Sequence, residues 1–251
     1  RKRKRASCRI GRPRLTGHLL RPTLPSVQID QAPVVLVHGW GGSFTTTWER
    51  SGFTALLADA GRTVIGVDLL GHGAAPKPHD PNAYGDLTAR VFDAMPPDEP
   101  VDAIGFSLGA ATLLRAAIAR PDRFRRLVLA GVGRNLFERD DEQTRRIIDA
   151  VEGDDPGDDN RARLFAQYSA QAGNDPLALA ALLRRSLDGR SPPVTEDDLA
   201  HVTCPVLVAV GDADFVLPAD RLVDALPNAT FRSLRRTDHF ATPESFDFID
   251  A

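Results

Sequence analysis

Short runs that are apolar at nearly every position alternate with amphipathic stretches along most of the chain. Such runs occupy residues 33–37, 63–67, 101–105, 126–130 and 205–210, and the more polar 230–234 reads as a further strand. Successive strand side chains point to opposite faces, so an uninterrupted apolar run predicts a strand buried on both. Between the runs, helical spacing predicts helices over 48–60, stopped by Gly61, over 86–95, from Ser107 to a stop at Pro121, and over 219–226. Residues 27–29 in a Pro-interrupted stretch form at most a weak edge strand. Strand–helix alternation of this kind implies an α/β fold, a mostly parallel doubly wound sheet with right-handed crossovers. Ligands of such sheets bind beyond the carboxyl ends of the strands.

The alternation stops at residues 136–200. Three helical patterns at 142–152, 161–172 and 176–187 follow one another without a strand, and an acidic Gly/Pro turn at 153–159 separates the first two. The expected organisation is a core of residues 22–135 and 201–251 with a helical cap insertion at 136–200, seated over the carboxyl edge of the sheet. Leu164, Phe165, Tyr168, Leu179, Leu182 and Leu183 are its apolar faces, first of all packing surfaces.

Composition changes this picture in one place. The chain has 251 residues, 42% hydrophobic and 26% charged, with a net charge of −3. Those values fit one soluble α/β domain with a large core. Residues 1–21, however, carry nine Arg or Lys and no acid, leaving the rest with a net charge of −12. A basic arm could meet nucleic acid or anionic lipid, but no aromatic residue interleaves the charges to stack on bases. We expect residues 1–21 to be a disordered tail, with no nucleic-acid partner. No apolar run nears the roughly 20 residues that span a bilayer, and no signal-peptide pattern is present, so the expectation is a cytoplasmic protein with no membrane partner. Cys8 and Cys204 offer no disulfide framework, and Cys204, just before a predicted strand, reads as a small core residue.

Candidate chemistry centres on Gly105-Phe106-Ser107-Leu108-Gly109, where a predicted strand enters and an Ala/Leu-rich helix leaves. In that context the turn strains the central residue, lifts its hydroxyl above the sheet and points the helix amides at developing negative charge. A serine needs a base to become a nucleophile. Of the six histidines, His239 follows the last predicted strand, at the edge where Ser107 lies; His18 is in the tail, His79 in a Pro-rich loop and His201 at the end of a cap helix. The base in turn needs an acceptor, and Asp212 and Asp214 both follow the fifth run. Asp238, adjacent in sequence to His239, is poorly placed for its ring. Two amides must stabilise the oxyanion: that of Leu108, and one from His38-Gly39-Trp40-Gly41-Gly42 after the first strand, for which we expect Trp40. His38 itself reads as a hydrogen bonder that orders this loop.

Over residues 33–250 the chain resembles α/β-hydrolase-fold proteins. The marks are His38-Gly39-Trp40-Gly41-Gly42, Asp68-Leu69-Leu70-Gly71-His72-Gly73, the Ser107 turn, the Gly-x-x-Asp-x-x-x-Pro pattern at 211–218, and Asp238-His239-Phe240. The order Ser107, Asp214, His239 is also the family's. The resemblance implies a catalytic triad of those three residues, with Asp212 left as a turn former, and an oxyanion hole from the Trp40 and Leu108 amides. Ala74 stands where the family often has Ser, its first two antiparallel strands are not recognisable in residues 1–32, and the last helix is short.

The expected function is a serine hydrolase cleaving a small ester, thioester or lactone through an acyl-enzyme on Ser107. Alternatives on the same residues are carbon–carbon bond hydrolysis, cofactor-free perhydrolase chemistry, or a non-catalytic ligand-binding protein. Trp40 and Phe106 are candidate substrate contacts. No ligand spacing for a metal and no phosphate-binding fingerprint occur, so no metal and no cofactor are expected. The natural substrate and the oligomeric state are not written in the sequence.

Overall fold

The computed structural model describes residues 32–190 and 192–251. The basic tail, the stretch at 27–29, Cys8 and His18 lie outside the described residues. Six strands, β1 (Val34–Val37), β2 (Val64–Val67), β3 (Val101–Phe106), β4 (Phe124–Ala130), β5 (Val206–Gly211) and β6 (Ala229–Leu234), form one sheet in the order β2-β1-β3-β4-β5-β6. Every pairing is parallel. The apolar runs fall where they were expected, within about two residues at each end.

The winding direction reverses between β1 and β3, and there crossover connections leave to opposite sides and open a crevice. Register fixes what faces that crevice: Val37 of β1 pairs with Gly105 of β3. The loop after β1 and the Ser107 turn therefore leave the sheet side by side.

Helices α1 (Phe53–Asp59), α2 (Thr88–Ala94) and α3 (Leu108–Ala119) serve the first half of the sheet. The helix expected over 48–60 is in fact two pieces. A single wide turn at Thr45–Glu49 precedes α1, and Gly52, at φ +80°, breaks the path between them. A left-handed residue cannot continue a right-handed helix. Helix α3 is buried nearly all round, through Ala110, Leu113, Leu114, Ala116 and Ala117. A circumference apolar at most positions marks a helix enclosed by neighbours, and such a helix is a rigid base for the residue at its start.

Between β4 and β5 come α4 (Asp141–Glu152), α5 (Asn160–Ser169), α6 (Pro176–Leu187) and α7 (Glu196–Leu199). Each of the first three starts on an aspartate that accepts backbone N–H bonds: Asp140 from Gln143, Asp159 from Ala162, and Asp175 from Leu177 and Ala178. These caps satisfy amides that a helix start leaves free, typically worth about 1 kcal/mol each. Ile147, Ile148, Val151, Leu179 and Leu182 pack with Trp40 and Tyr84 into a second apolar cluster, separate from the main core under the sheet. The helical segment thus rests on the crevice side. The chain closes with α8 (Asp220–Ala225) and the four-residue α9 (Phe246–Ile249). Among the described residues no helix is long and apolar enough to cross a membrane.

Candidate active site

Ser107 sits between β3 and α3 at φ +52° and ψ −112°, a region that L-residues enter only when their surroundings impose it. Two glycines impose it here. A Cβ on Gly105 would lie 2.6 Å from the amide nitrogen of Ala110, and one on Gly109 only 2.3 Å from the Val37 carbonyl oxygen. Helix α3 can therefore press against β1 and β3, and the turn is forced sharp. The Ser107 amide donates to the Ala130 carbonyl at 2.8 Å, and its carbonyl accepts from Ala111 at 3.0 Å.

His239 and Asp214 arrive from the far side of the sheet. The loops after β5 and β6 are laced together: the Asp212 amide donates to Leu234, the Ala213 amide to Thr237, and the Asp212 carboxylate accepts from the Thr237 amide. Asp212 is thus the turn former, and Asp214 is the carboxylate beside the histidine. The His239 ring must cross the end of β4 to reach Ser107. Gly131 ends that strand at φ +64°, where a Cβ would lie 3.2 Å from His239 Cε1. Nε2 of His239 lies 2.9 Å from Ser107 Oγ, and Nδ1 lies 3.0 and 2.9 Å from the two Asp214 oxygens. A carboxylate only accepts, so Nδ1–H donates to Asp214 and Nε2 is left to accept the serine proton. Asp214 also accepts from the Val216 amide at 3.0 Å. His239 and Asp214 are both buried, and the Phe215 and Phe106 rings pack on the imidazole with centroids 4.4 and 5.1 Å away. This packing holds the ring in one orientation.

The amide of Leu108 is the first of α3, and that of Trp40 leads the glycine-rich loop after β1. Neither donates to another group among the described residues. Two free N–H groups thus flank the serine from adjacent strands. Behind this loop, His38 does what a loop-ordering residue should: Nδ1 donates to Gly39 at 2.8 Å, and Nε2 accepts from Leu69 at 3.1 Å. Asp68 accepts from the Phe44 and Ala74 amides, and its carboxylate fills the place of a side chain on Gly73.

A cavity of about 700 Å³ opens between α3 and the helical segment. Leu108, Ala111, Ile147, Phe165, Leu182 and Phe215 give it apolar walls, while Arg134 and Arg161 add charge. Ser107, His239 and the expected substrate contacts Trp40 and Phe106 are not on these walls, which reach the site through Leu108 and Phe215. Trp40 is buried against Phe165 and donates its indole N–H to the Leu179 carbonyl at 3.3 Å. Phe106 is buried between Gly39 and His239. Sequence reasoning missed Phe215, Arg161 and Asn174. Phe215 had a signal, since it directly follows Asp214; Asn174 reads only as a turn residue, and nothing local marks Arg161. Among the described residues no group of three His, Cys, Asp or Glu side chains gathers to hold a metal ion.

The family model described as "Alpha/beta hydrolase family" matches residues 34–249. Over 142 residues the chain is 35% identical to a 2-hydroxy-6-oxo-2,4-heptadienoate hydrolase of Pseudomonas putida, covering 55% of this chain and 49% of that protein. Over 112 residues it is 36% identical to a pimeloyl-acyl-carrier-protein methyl ester esterase of Neisseria meningitidis, covering 43% of this chain and 40% of that one. The alignments thus span half or less of these two relatives. A solved marine microorganism esterase superposes with a TM-score of 0.65 at 18% identity, covering 88% of this chain and 93% of its own, a likeness of fold. With the family model matched from the first described strand to the last described helix, the chain belongs to the alpha/beta hydrolase family.

Proposed function

We propose that the protein is a serine hydrolase that cleaves a small ester-like substrate through an acyl-enzyme on Ser107. The observation that carries this reading is the unbroken hydrogen-bonded line from Ser107 Oγ through His239 to the buried Asp214 carboxylate. As Oγ attacks the carbonyl carbon, its proton passes to His239 Nε2, and Asp214 stabilises the imidazolium. The carbonyl oxygen gains charge and accepts from the Leu108 and Trp40 amides. The imidazolium then protonates the leaving group. Water, activated by the same histidine, releases the acyl group and restores the serine. The esterase of Neisseria meningitidis supports ester cleavage as the reaction.

A second reading, hydrolysis of a carbon–carbon bond in an oxo-acid, draws on the Pseudomonas putida relative and on two arginines. Arg161 stacks over Phe215 with its guanidinium carbon 4.3 Å from the ring centre, and Arg134 donates to the Phe215 carbonyl. Both line the cavity, and neither pairs with a carboxylate among the described residues. A substrate carboxylate would find a bidentate partner there, although Glu138 lines the same cavity and opposes it.

Wild type, Ser107→Ala and Arg161→Ala should be assayed on p-nitrophenyl esters of increasing acyl length and on a 2-hydroxy-6-oxo-dienoate. Ester turnover lost in Ser107→Ala and indifferent to Arg161→Ala supports the first reading. Turnover of the oxo-dienoate at least as fast, weakened by Arg161→Ala, replaces it with the second. Undiminished ester turnover in Ser107→Ala overturns both.

A further inference from the structure

The loop that carries the Trp40 amide has little of its own to hold it. Three of the four residues Gly39-Trp40-Gly41-Gly42 are glycines, and Gly41 sits at φ +72°. Glycine backbone exchanges between wells at small energy differences, so anchors outside the loop must set its course. Within the loop, Gly42 N–H donates to the Gly39 carbonyl at 3.1 Å.

His38 holds the Gly39 carbonyl from behind, and the remaining external anchors come from the helical segment. Asn174, in the turn between α5 and α6, donates its side-chain amide to the Gly41 carbonyl at 2.7 Å and to the Tyr168 carbonyl at 3.0 Å. The Asn174 backbone amide closes its own turn on the Gln171 carbonyl. The Tyr168 ring fills the space beside Gly41, 2.8 Å from where a Cβ would stand. Two residues of the loop are thereby tied to the segment, Gly41 through Asn174 and Trp40 through Leu179.

We propose that Asn174 is a positioning residue for the reaction: by pinning the Gly41 carbonyl it aims the Trp40 amide at the oxygen that becomes negative when Ser107 attacks. The inference rests on the acyl-enzyme reading above. It makes the second oxyanion donor conditional on the seating of the α5–α6 turn. Asn174 acts through the Gly41 carbonyl, so its contribution is assigned to the transition state and not to substrate binding.

The test uses Asn174→Ala and Asn174→Asp, with Asn228→Ala as a control that removes a similar amide-to-carbonyl bond, to Thr203, elsewhere. Turnover of p-nitrophenyl acetate is measured beside inhibition by a trifluoromethyl ketone, which Ser107 converts to an oxyanion mimic, and by the matching methyl ketone, bound as a ground state. For Asn174→Ala, kcat should fall about 10- to 100-fold with KM within about two-fold of wild type. Trifluoromethyl ketone affinity should fall by a similar factor, while the methyl ketone is unaffected. Asn174→Asp should be at least as poor, because a carboxylate cannot donate to two carbonyl oxygens. Asn228→Ala should match wild type. A kcat within two-fold of wild type, or KM and both ketones weakening together, overturns the inference. If Asn174→Ala does not fold, Trp40→Phe keeps an aromatic side chain and removes the bond to Leu179; a paired loss of kcat and trifluoromethyl ketone affinity with KM and methyl ketone affinity unchanged supports the clamp, and unchanged values overturn it. Full turnover in Ser107→Ala would instead remove the acyl-enzyme reading, and the inference with it.

Discussion

Acid should unfold this protein through two histidines packed behind the loop after β1. His72 is wholly buried; Nδ1 donates to the Leu70 carbonyl at 3.0 Å, and Nε2 has no hydrogen-bond partner among the described residues. The ring of His38, equally buried, lies 4.9 Å away. Burial first, then repulsion from His38, pushes the His72 pKa from 6.5 down to about 3. Burial lowers that of His38 as well. In the unfolded chain His72 takes up a proton near pH 6.5, whereas in the folded protein it stays neutral until about pH 3. Between those values the unfolded state binds more protons, so the stability present above pH 6.5 is lost as the pH falls. The slope approaches about 1.4 kcal/mol per pH unit for one histidine, which makes the loss from His72 about 2 kcal/mol at pH 5 and about 3 kcal/mol at pH 4. His38 adds in the same direction. The carboxylates held low by their partners, among them Asp159, Asp175 and Asp247, join only as the pH nears the ordinary carboxylate range. Urea unfolding at pH 7.5, 6.5, 5.5 and 5.0, followed by the fluorescence of buried Trp40 and Trp48, measures the slope. His72→Gln, which does not titrate, should flatten it by about 1 kcal/mol per unit. Wild-type stability that stayed level from pH 7.5 to 5.0 would refute the reasoning.

Two other substitutions probe the site and its frame. Asp214→Asn removes the acceptor that fixes the His239 tautomer; kcat for esters should fall on the order of 10³- to 10⁴-fold with KM little changed, and a loss below ten-fold would show that the carboxylate is not needed. Gly109→Ala places a Cβ 2.3 Å from the Val37 carbonyl oxygen and 2.5 Å from that of His38. Backbone lies on both contacts, so the strand and helix must separate; we expect destabilisation by about 3 kcal/mol or more in urea unfolding, and a variant as stable as wild type would contradict the described packing.

The strands were the most legible part of the molecule, and the reason is burial. Val34–Val37 and Val206–Gly211 are covered on both faces, so nearly every position had to be apolar. β4 begins at Phe124, two residues before its run at 126–130, because the charged Arg125 separates Phe124 from that run. The split at Gly52 was hidden, since an isolated glycine inside a helical pattern does not reveal its φ. Among the site residues, Ser107 and His239 stood out because each follows a strand in a recognisable local motif. Asp212 and Asp214 are two residues apart; the resemblance chose Asp214, and in the structure the bonds of Asp214 to His239 and of Asp212 to Thr237 separate their roles. Arg161, Asn174 and the cavity walls left no local signature. Their partners are far away in sequence: Gly41 for Asn174, Phe215 for Arg161. Contacts of that range are set by how α5 and α6 dock on the sheet, and helix periodicity shows that a face is apolar without showing what it meets.

The central claim is a covalent bond between substrate and Ser107, and quenched-flow mass spectrometry tests it most directly. Protein mixed with p-nitrophenyl acetate and stopped in acid within the first turnover should gain one acetyl group. Peptide mapping should place that group on Ser107, and neither Ser107→Ala nor His239→Ala should acquire it at a comparable rate. Ester turnover with no acetyl on Ser107, or with the group on another residue in both wild type and Ser107→Ala, would contradict the account.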